Sequence, residues 1–483
     1  MKRRFFSFSI SFLLVIMAAI SVFSNLYSNV RETASSSAEV LTDRPHYEIE
    51  ATYHPERDEV SGHVVVTLQE KRTEPQSEVY FHLYPNVFQK WKYGKESKPT
   101  QPGYIKISNV KVDGKPVKES IRETIMKVPF PQALPNGKST RIEMDYQLRL
   151  PHGGTRLNTY KSTAFLAQWY PMLAVKDAEG WHTDPYTTTG DPFYSQMSDF
   201  DVTFHIPQGY QVISTGTDVG KEHGSRITIQ QENVRDFVAV ITKDYKVIRG
   251  KADDIQVNLW YLKGMEDVSQ ILHDAAVSGM KFYNERFGKY PYQEVDVVLG
   301  ETGYGIAGME YPGLVTSVSK IPTRKGEEPA VNVVVHELAH QWWYGVVGNN
   351  QVKEPWLDEG LTTFSEFLYM QEKMKENEKE LLHRAALRTN EINKAAGVTS
   401  VESLYEYPDS IYGLMVYIRP AAMMFNLMEQ IGEEKVLEIL RTYYDRYQYK
   451  VATTADFIQV ANEVAGKDLS PFFQEWLYFK HKK

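Results

Sequence analysis

The chain has 483 residues, 42% of them hydrophobic and 13% aromatic, with a formal net charge of −8. That length calls for two or three packed domains, and the acidic balance gives no basic footprint, which argues against nucleic acid as a partner. With no cysteine at all, disulfides, thiolate metal ligands, a cysteine nucleophile and lipidation at an N-terminal cysteine are excluded.

Lys2-Arg3-Arg4 precede an apolar run over residues 5–23, followed by Ser24-Asn25. Residues 1–24 therefore read as a secretory signal or an uncleaved signal anchor. The basic end stays in the cytoplasm and the rest crosses, so the expected location is extracytoplasmic, either secreted or tethered to the membrane through 5–23. Residues 25–43, with Ala34-Ser35-Ser36-Ser37-Ala38, form a flexible tether.

Period-two alternation predicts strands over 47–53, 60–68, 79–83, 104–112, 139–148, 200–206, 225–230 and 237–241. Asp113-Gly114 and Asn136-Gly137 predict hairpin turns between such runs. So many short strands without helices predict an antiparallel β domain, a sandwich or saddle, over 44–250. Another strand, 255–262, marks the boundary. Residues 251–483 then become mostly helical around a small sheet: helices over 265–287, 366–386, 418–428, 434–444 and 455–465, with a short strand at 294–299. Between them runs a glycine-rich loop, 300–319.

The stretch that carries chemistry is His336-Glu337-Leu338-Ala339-His340, followed after eighteen intervening residues by Glu359 in Trp356-Leu357-Asp358-Glu359-Gly360. Residues four apart share one face of a helix. With neither Gly nor Pro between Val331 and Tyr344, both imidazoles can meet one Zn²⁺, with Glu337 placed to take a proton from water. Gly345 is a stop signal, and Pro355 suits the first turn of a second helix that returns Glu359 as third ligand. Three protein ligands leave a position open, the mark of a catalytic site holding one Zn²⁺ per chain. Asp358 and Glu354 are the candidates for orienting the histidines.

These motifs resemble the zinc aminopeptidases of the aminopeptidase N type, the gluzincin group that includes leukotriene A hydrolase. The flanking text His336-Glu337-Leu338-Ala339-His340-Gln341-Trp342-Trp343 matches as well as the ligand spacing. That family's Gly-Ala-Met-Glu-Asn motif corresponds to Ala307-Gly308-Met309-Glu310-Tyr311, with two small residues swapped and tyrosine in place of asparagine. The resemblance implies a thermolysin-like catalytic domain. It also implies a substrate-binding edge at Gly308 and Met309, and Glu310 as the carboxylate that holds the substrate's free α-amino group. Tyr417, in Tyr417-Ile418-Arg419-Pro420, corresponds to the tyrosine that hydrogen-bonds the developing oxyanion, with Tyr412 in reserve. Gln168 matches a glutamine of the β domain that helps hold the amine.

The expected activity is hydrolysis of the N-terminal bond of peptides with a free N-terminus, with Glu337 as general base. Many relatives carry a further helical-repeat domain that roofs the site; the chain is expected to end without one, leaving a more open cleft. Two rivals remain: an endopeptidase, or an enzyme releasing longer N-terminal pieces, and a non-catalytic, membrane-associated binding module that keeps the fold.

Overall fold

Alternation builds the first half. In the strand His46–His54, Tyr47, Ile49, Ala51 and Tyr53 are buried while their neighbours reach solvent, the pattern of a sheet with one face on a core. The computed structural model describes residues 44–69, 75–93, 98–153, 156–217, 225–300, 307–323, 326–377 and 379–479. The predicted signal or anchor, and the tether, lie outside the described residues.

A seven-stranded sheet runs in the order Arg226–Val234, Ser198–His205, His46–His54, Glu59–Gln69, Ser139–Arg149, Tyr104–Val112, Lys115–Pro116. Its pairs are antiparallel except His46–His54 with Ser198–His205, which run parallel. Two four-stranded sheets share its core. One contains Gln76–His82 and Ile125–Leu134, the other Thr163–Leu166 and Ala239–Thr242. This is the expected β-rich half. Asp113-Gly114 does turn a hairpin, joining Tyr104–Val112 to Lys115–Pro116. Asn136-Gly137 does not. The strand before it pairs with Gln76–His82 and the strand after it with Glu59–Gln69, so the turn carries the chain from one sheet to another.

The second half is built on a five-stranded mixed sheet ordered Lys246–Ala252, Ile255–Tyr261, Glu294–Leu299, Leu314–Ser317, Gly308–Met309. Lys246–Ala252 straddles the division expected at residue 250, and it pairs with Ile255–Tyr261. The helices are α1 (Glu266–Phe287), α2 (Val331–Ala339), α3 (Trp356–Tyr369), α4 (Lys379–Ala396), α5 (Asp409–Tyr412), α6 (Arg419–Ile431), α7 (Glu433–Tyr447), α8 (Thr454–Ala465) and α9 (Ser470–Tyr478). One core joins α1, α2, α3, α6, α7, α8 and the sheet.

The expected helix over 366–386 is broken. A π turn, Met370–Met374, closes α3; Lys375 then takes a left-handed φ of 61°, and α4 starts only at Lys379. The helix expected from 418 instead starts at Asp409. It reaches α6 through a second π turn, Gly413–Ile418, in which the wider i→i+5 ring stacks residues five apart.

Candidate active site

Helix α2 carries His336 and Glu337 and stops at Ala339, earlier than the sequence suggests. His340 forms its cap, donating its backbone N–H to the His336 carbonyl. The turn beyond tightens until Tyr344 adopts a φ of 134°. Arg235, from the β half, holds this turn from outside: its Nε donates to the Tyr344 carbonyl at 2.7 Å, and its two terminal nitrogens to Ser195 and Lys450 carbonyls at 3.1 and 2.6 Å. Asp358 and Glu359 lie in the first turn of α3, where the helix dipole favours carboxylates.

His336 Nε2 and His340 Nε2 lie 3.4 and 3.2 Å from Glu359 Oε2. Yet that buried oxygen accepts no hydrogen bond; the three atoms aim past one another at a shared point. For metal–ligand bonds of about 2.0–2.1 Å at tetrahedral angles, ligand atoms stand roughly 3.3 Å apart. The observed spacing fits. Both Nε2 lone pairs are free for a cation because each Nδ1 is engaged elsewhere: His336 Nδ1 with Glu366 Oε2 at 2.9 Å, and His340 Nδ1 with the Trp343 carbonyl at 3.0 Å. Thr362 Oγ1 also reaches His340 Nδ1, at 3.0 Å. Burial alone would raise the Glu359 carboxyl, but the two imidazoles outweigh it and hold it well below the usual range. A second group, Glu310, Glu337 and His340, also lies within mutual reach of 4.8 Å. Its Glu337 is pushed up to about 8 by burial, which suits a proton carrier better than a ligand.

The expected partners Asp358 and Glu354 do not orient the histidines. Asp358 Oδ1 caps the N–H of Glu359, and Glu354 Oε1 takes the N–H of Thr454. Glu366 does so instead. It lies seven residues after Glu359, two turns along the same face of α3, and that spacing was the signal available in the sequence.

Gly308–Met309 is the edge of the five-stranded sheet, antiparallel to Leu314–Ser317. A Cβ at Gly308 would sit 2.3 Å from Glu337 Oε1, so the glycine is what lets the edge approach that carboxylate. The swap of small residues against the family text is therefore not neutral. Gln341 ties this edge to the histidine turn: its Nε2 donates to the Tyr311 carbonyl at 3.0 Å, and its Oε1 accepts from Gly313 N at 2.9 Å. Tyr311 turns away from the cleft into an apolar cluster with Met309, Phe165 and Trp260. The Glu310 carboxyl is raised by burial and by the charge of Asp191.

Tyr417 Oη donates to Glu359 Oε1 at 2.5 Å, and its ring stacks on His336 at 6.0 Å. Tyr412 lies edge-on to it at 5.7 Å. The π turn brings both to one face. Helices α3 and α6 meet there closely, since a Cβ on Gly360 would lie 2.5 Å from Pro420 Cβ.

The resulting cleft, about 400 Å³, is lined by Arg156, Asp191, Gly308, Met309, Glu310, His336, Glu337, His340, Glu359, Glu366, Tyr412 and Tyr417, among others. Gln168 is not part of it. With a φ of 48° it directs its Nε2 to Asp236 Oδ2 at 2.8 Å, beside a separate small hollow. Arg156 and Asp191, from the β half, went unnoticed in the sequence; both lie in loops far from any motif. A larger hollow, about 520 Å³, lies between α4, α6 and α9, away from these groups.

Residues 272–476 match the peptidase family M1 domain. The chain is 28% identical to aminopeptidase N of Lactococcus lactis subsp. lactis, over 42% of this chain and 26% of that protein. It is 24% identical to the puromycin-sensitive aminopeptidase of Caenorhabditis elegans, over 59% of this chain and 32% of that protein. It thus spans about a third or less of the length of these curated relatives. Among solved structures, the M1 zinc metallopeptidase from Deinococcus radiodurans superposes with a TM-score of 0.63 at 17% identity, covering 90% of this chain and 93% of that one. A mutant of it bound to a Tyr-Ser-Ala substrate gives 0.64 at 16% identity, over 91% and 95%. Residues 272–476 thus match a peptidase family M1 domain, set behind a β-rich half in an arrangement whose fold is shared with that M1 zinc metallopeptidase.

Proposed function

We propose that this chain is a zinc aminopeptidase, removing N-terminal residues from peptides with a free α-amino group. The observation that carries the reading is the convergence of His336 Nε2, His340 Nε2 and Glu359 Oε2 on one point beside Glu337. Zinc bound there supplies Lewis acidity toward a carbonyl and acidifies water. Glu337 takes the proton of the attacking water and returns it to the leaving amine, roles suited to a carboxyl pushed up to about 8. Tyr417 donates its hydroxyl to the developing oxyanion. Its present partner, Glu359 Oε1, puts that hydroxyl beside the ligand set. Glu310 pairs with the substrate ammonium, and the Gly308–Met309 edge offers backbone groups to an extended peptide.

We also propose that residues 1–24 take the chain out of the cytoplasm and that 5–23 tether it where they are not cleaved, on the sequence pattern alone. The functional reading is tested with aminoacyl reporters and short peptides, free and N-acetylated, with and without a chelator. Chelator-sensitive cleavage confined to the free forms is expected. Equal cleavage of acetylated peptides would favour an endopeptidase, and zinc binding without turnover a binding module.

A further inference from the structure

The cleft carries more negative charge than its metal chemistry uses. Among the described side chains lining it, Asp191, Glu310, Glu337, Glu359 and Glu366 face one guanidinium, that of Arg156. With all five ionised, even a bound dication leaves an excess of negative charge. Glu359 and Glu366 are committed to the histidines. Glu310 is not: only 4% exposed and lining the cleft, its carboxylate has no hydrogen-bond or ion-pair partner among the described residues.

Asp191 arrives from the β half. The segment between Gly180–Trp181 and Ser198–His205 reaches across to the helices and is clasped there. Tyr405 Oη donates to the Pro185 carbonyl and Thr189 Oγ1 to Asp409 Oδ1, each at 2.6 Å. Gly190, at a φ of 63°, lies so close to Tyr412 that a Cβ would stand 2.4 Å from its hydroxyl. The clasp holds the next residue, Asp191, in the cleft wall. Arg156 pairs with its Oδ1 only, so Oδ2 keeps its acceptor capacity.

We propose that Asp191 is the second carboxylate of the amine subsite, gripping the substrate α-ammonium together with Glu310 while Arg156 holds Asp191 in place. This rests on the aminopeptidase reading and assigns a residue within it. An ammonium carries three donors; one carboxylate leaves it free to swing, whereas two fix the distance from the amine to the scissile bond. Gln168, the β-half residue expected at the amine, does not line the cleft and is turned toward Asp236. Asp191 touches substrate; Arg156 is a positioning residue.

The test compares kcat and KM for alanyl and arginyl reporter amides and their N-acetyl forms, with zinc content measured on each sample. Asp191→Asn should lower kcat/KM for the free-amine reporters by about 10–100-fold, the worth of a charge-assisted hydrogen bond. The loss should fall mainly on KM, leave any residual rate on the acetylated forms unchanged and leave zinc bound. Asp191→Glu should restore part of it, and Arg156→Gln should give a smaller loss of the same kind. If Asp191→Asn misfolds because Arg156 is left buried alone, the double variant Asp191→Asn/Arg156→Gln removes both charges and is read in the same way. Equal losses on free and acetylated reporters, or no loss on the free ones, overturn the assignment. A wild-type enzyme that cleaves both forms alike would strike the aminopeptidase reading itself; discrimination kept intact in Asp191→Asn would strike only this inference.

Discussion

Replacing Gly360 by alanine is a sharp probe of how the helices hold the site. On helix propensity alone the change should stabilise α3 by about 1 kcal/mol. The geometry opposes it. The new Cβ would lie 2.5 Å from Pro420 Cβ, 3.1 Å from Pro420 Cγ and 3.2 Å from the Val416 carbonyl. Carbon atoms rest about 3.5–4.0 Å apart, and neither a proline ring nor a backbone carbonyl can swing aside, so α3 and α6 must separate by roughly 1 Å. Overpacking of this kind costs about 1–3 kcal/mol, enough to cancel or exceed the propensity gain. Tyr417 lies between Val416 and Pro420, so it moves with α6, and its 2.5 Å bond to Glu359 stretches out of hydrogen-bond range. A displacement of that size costs about 10²-fold in rate. The assay is kcat on an aminoacyl reporter for Gly360→Ala, Tyr417→Phe and the double variant, with Gly413→Ala as control, since nothing lies within 4 Å of a Cβ there. If Gly360→Ala acts through Tyr417, the double variant should lose little more than Tyr417→Phe alone. Wild-type kcat in Gly360→Ala, or fully additive losses, would refute the reasoning.

Glu366→Gln keeps the shape but removes the charge that engages His336 Nδ1; zinc affinity, read by chelator competition, should fall about 10–100-fold, and an unchanged affinity would contradict the role. His82 is buried, and its pKa is lowered to about 4 chiefly by desolvation. From pH 6.5 down to 4 the unfolded chain gains a proton there that the native chain refuses, so stability is full above 6.5 and falls through that window by about 3 kcal/mol. His82→Asn should flatten that part of the pH dependence of urea midpoints; an identical slope would count against it. Arg235→Met leaves the buried Tyr344 and Ser195 carbonyls without their donor, while the Lys450 carbonyl keeps the Gly348 N–H, and the loss should be about 3 kcal/mol after the relief of burying no charge; an unmoved urea midpoint would show that this guanidinium is not a joint between the halves.

What the sequence made legible was local. Two histidines four apart and a carboxylate after a proline specify their own faces, and the alternation of Tyr47, Ile49, Ala51 and Tyr53 specifies a buried one. Where partners are chosen at a distance, reading failed. Asn136-Gly137 announces a turn but cannot say that the strands on either side join different sheets. The π turn at Gly413–Ile418 has no propensity signature, yet it brings Tyr412 edge-on to Tyr417. Gln168 matched a short text, but its left-handed backbone and its bond to Asp236 direct it elsewhere. Asp191 and Arg156 come from irregular segments that only the folded chain brings to the cleft. Glu366 was within reach of a spacing rule, being two turns beyond Glu359.

The most direct measurement is zinc content per chain after dialysis, for the full chain and for Glu359→Ala and Glu337→Gln. One zinc per chain is expected in the parent and in Glu337→Gln, the latter without turnover, while Glu359→Ala should lose the metal. Full zinc in Glu359→Ala, or none in the parent, would contradict a centre made by His336, His340 and Glu359.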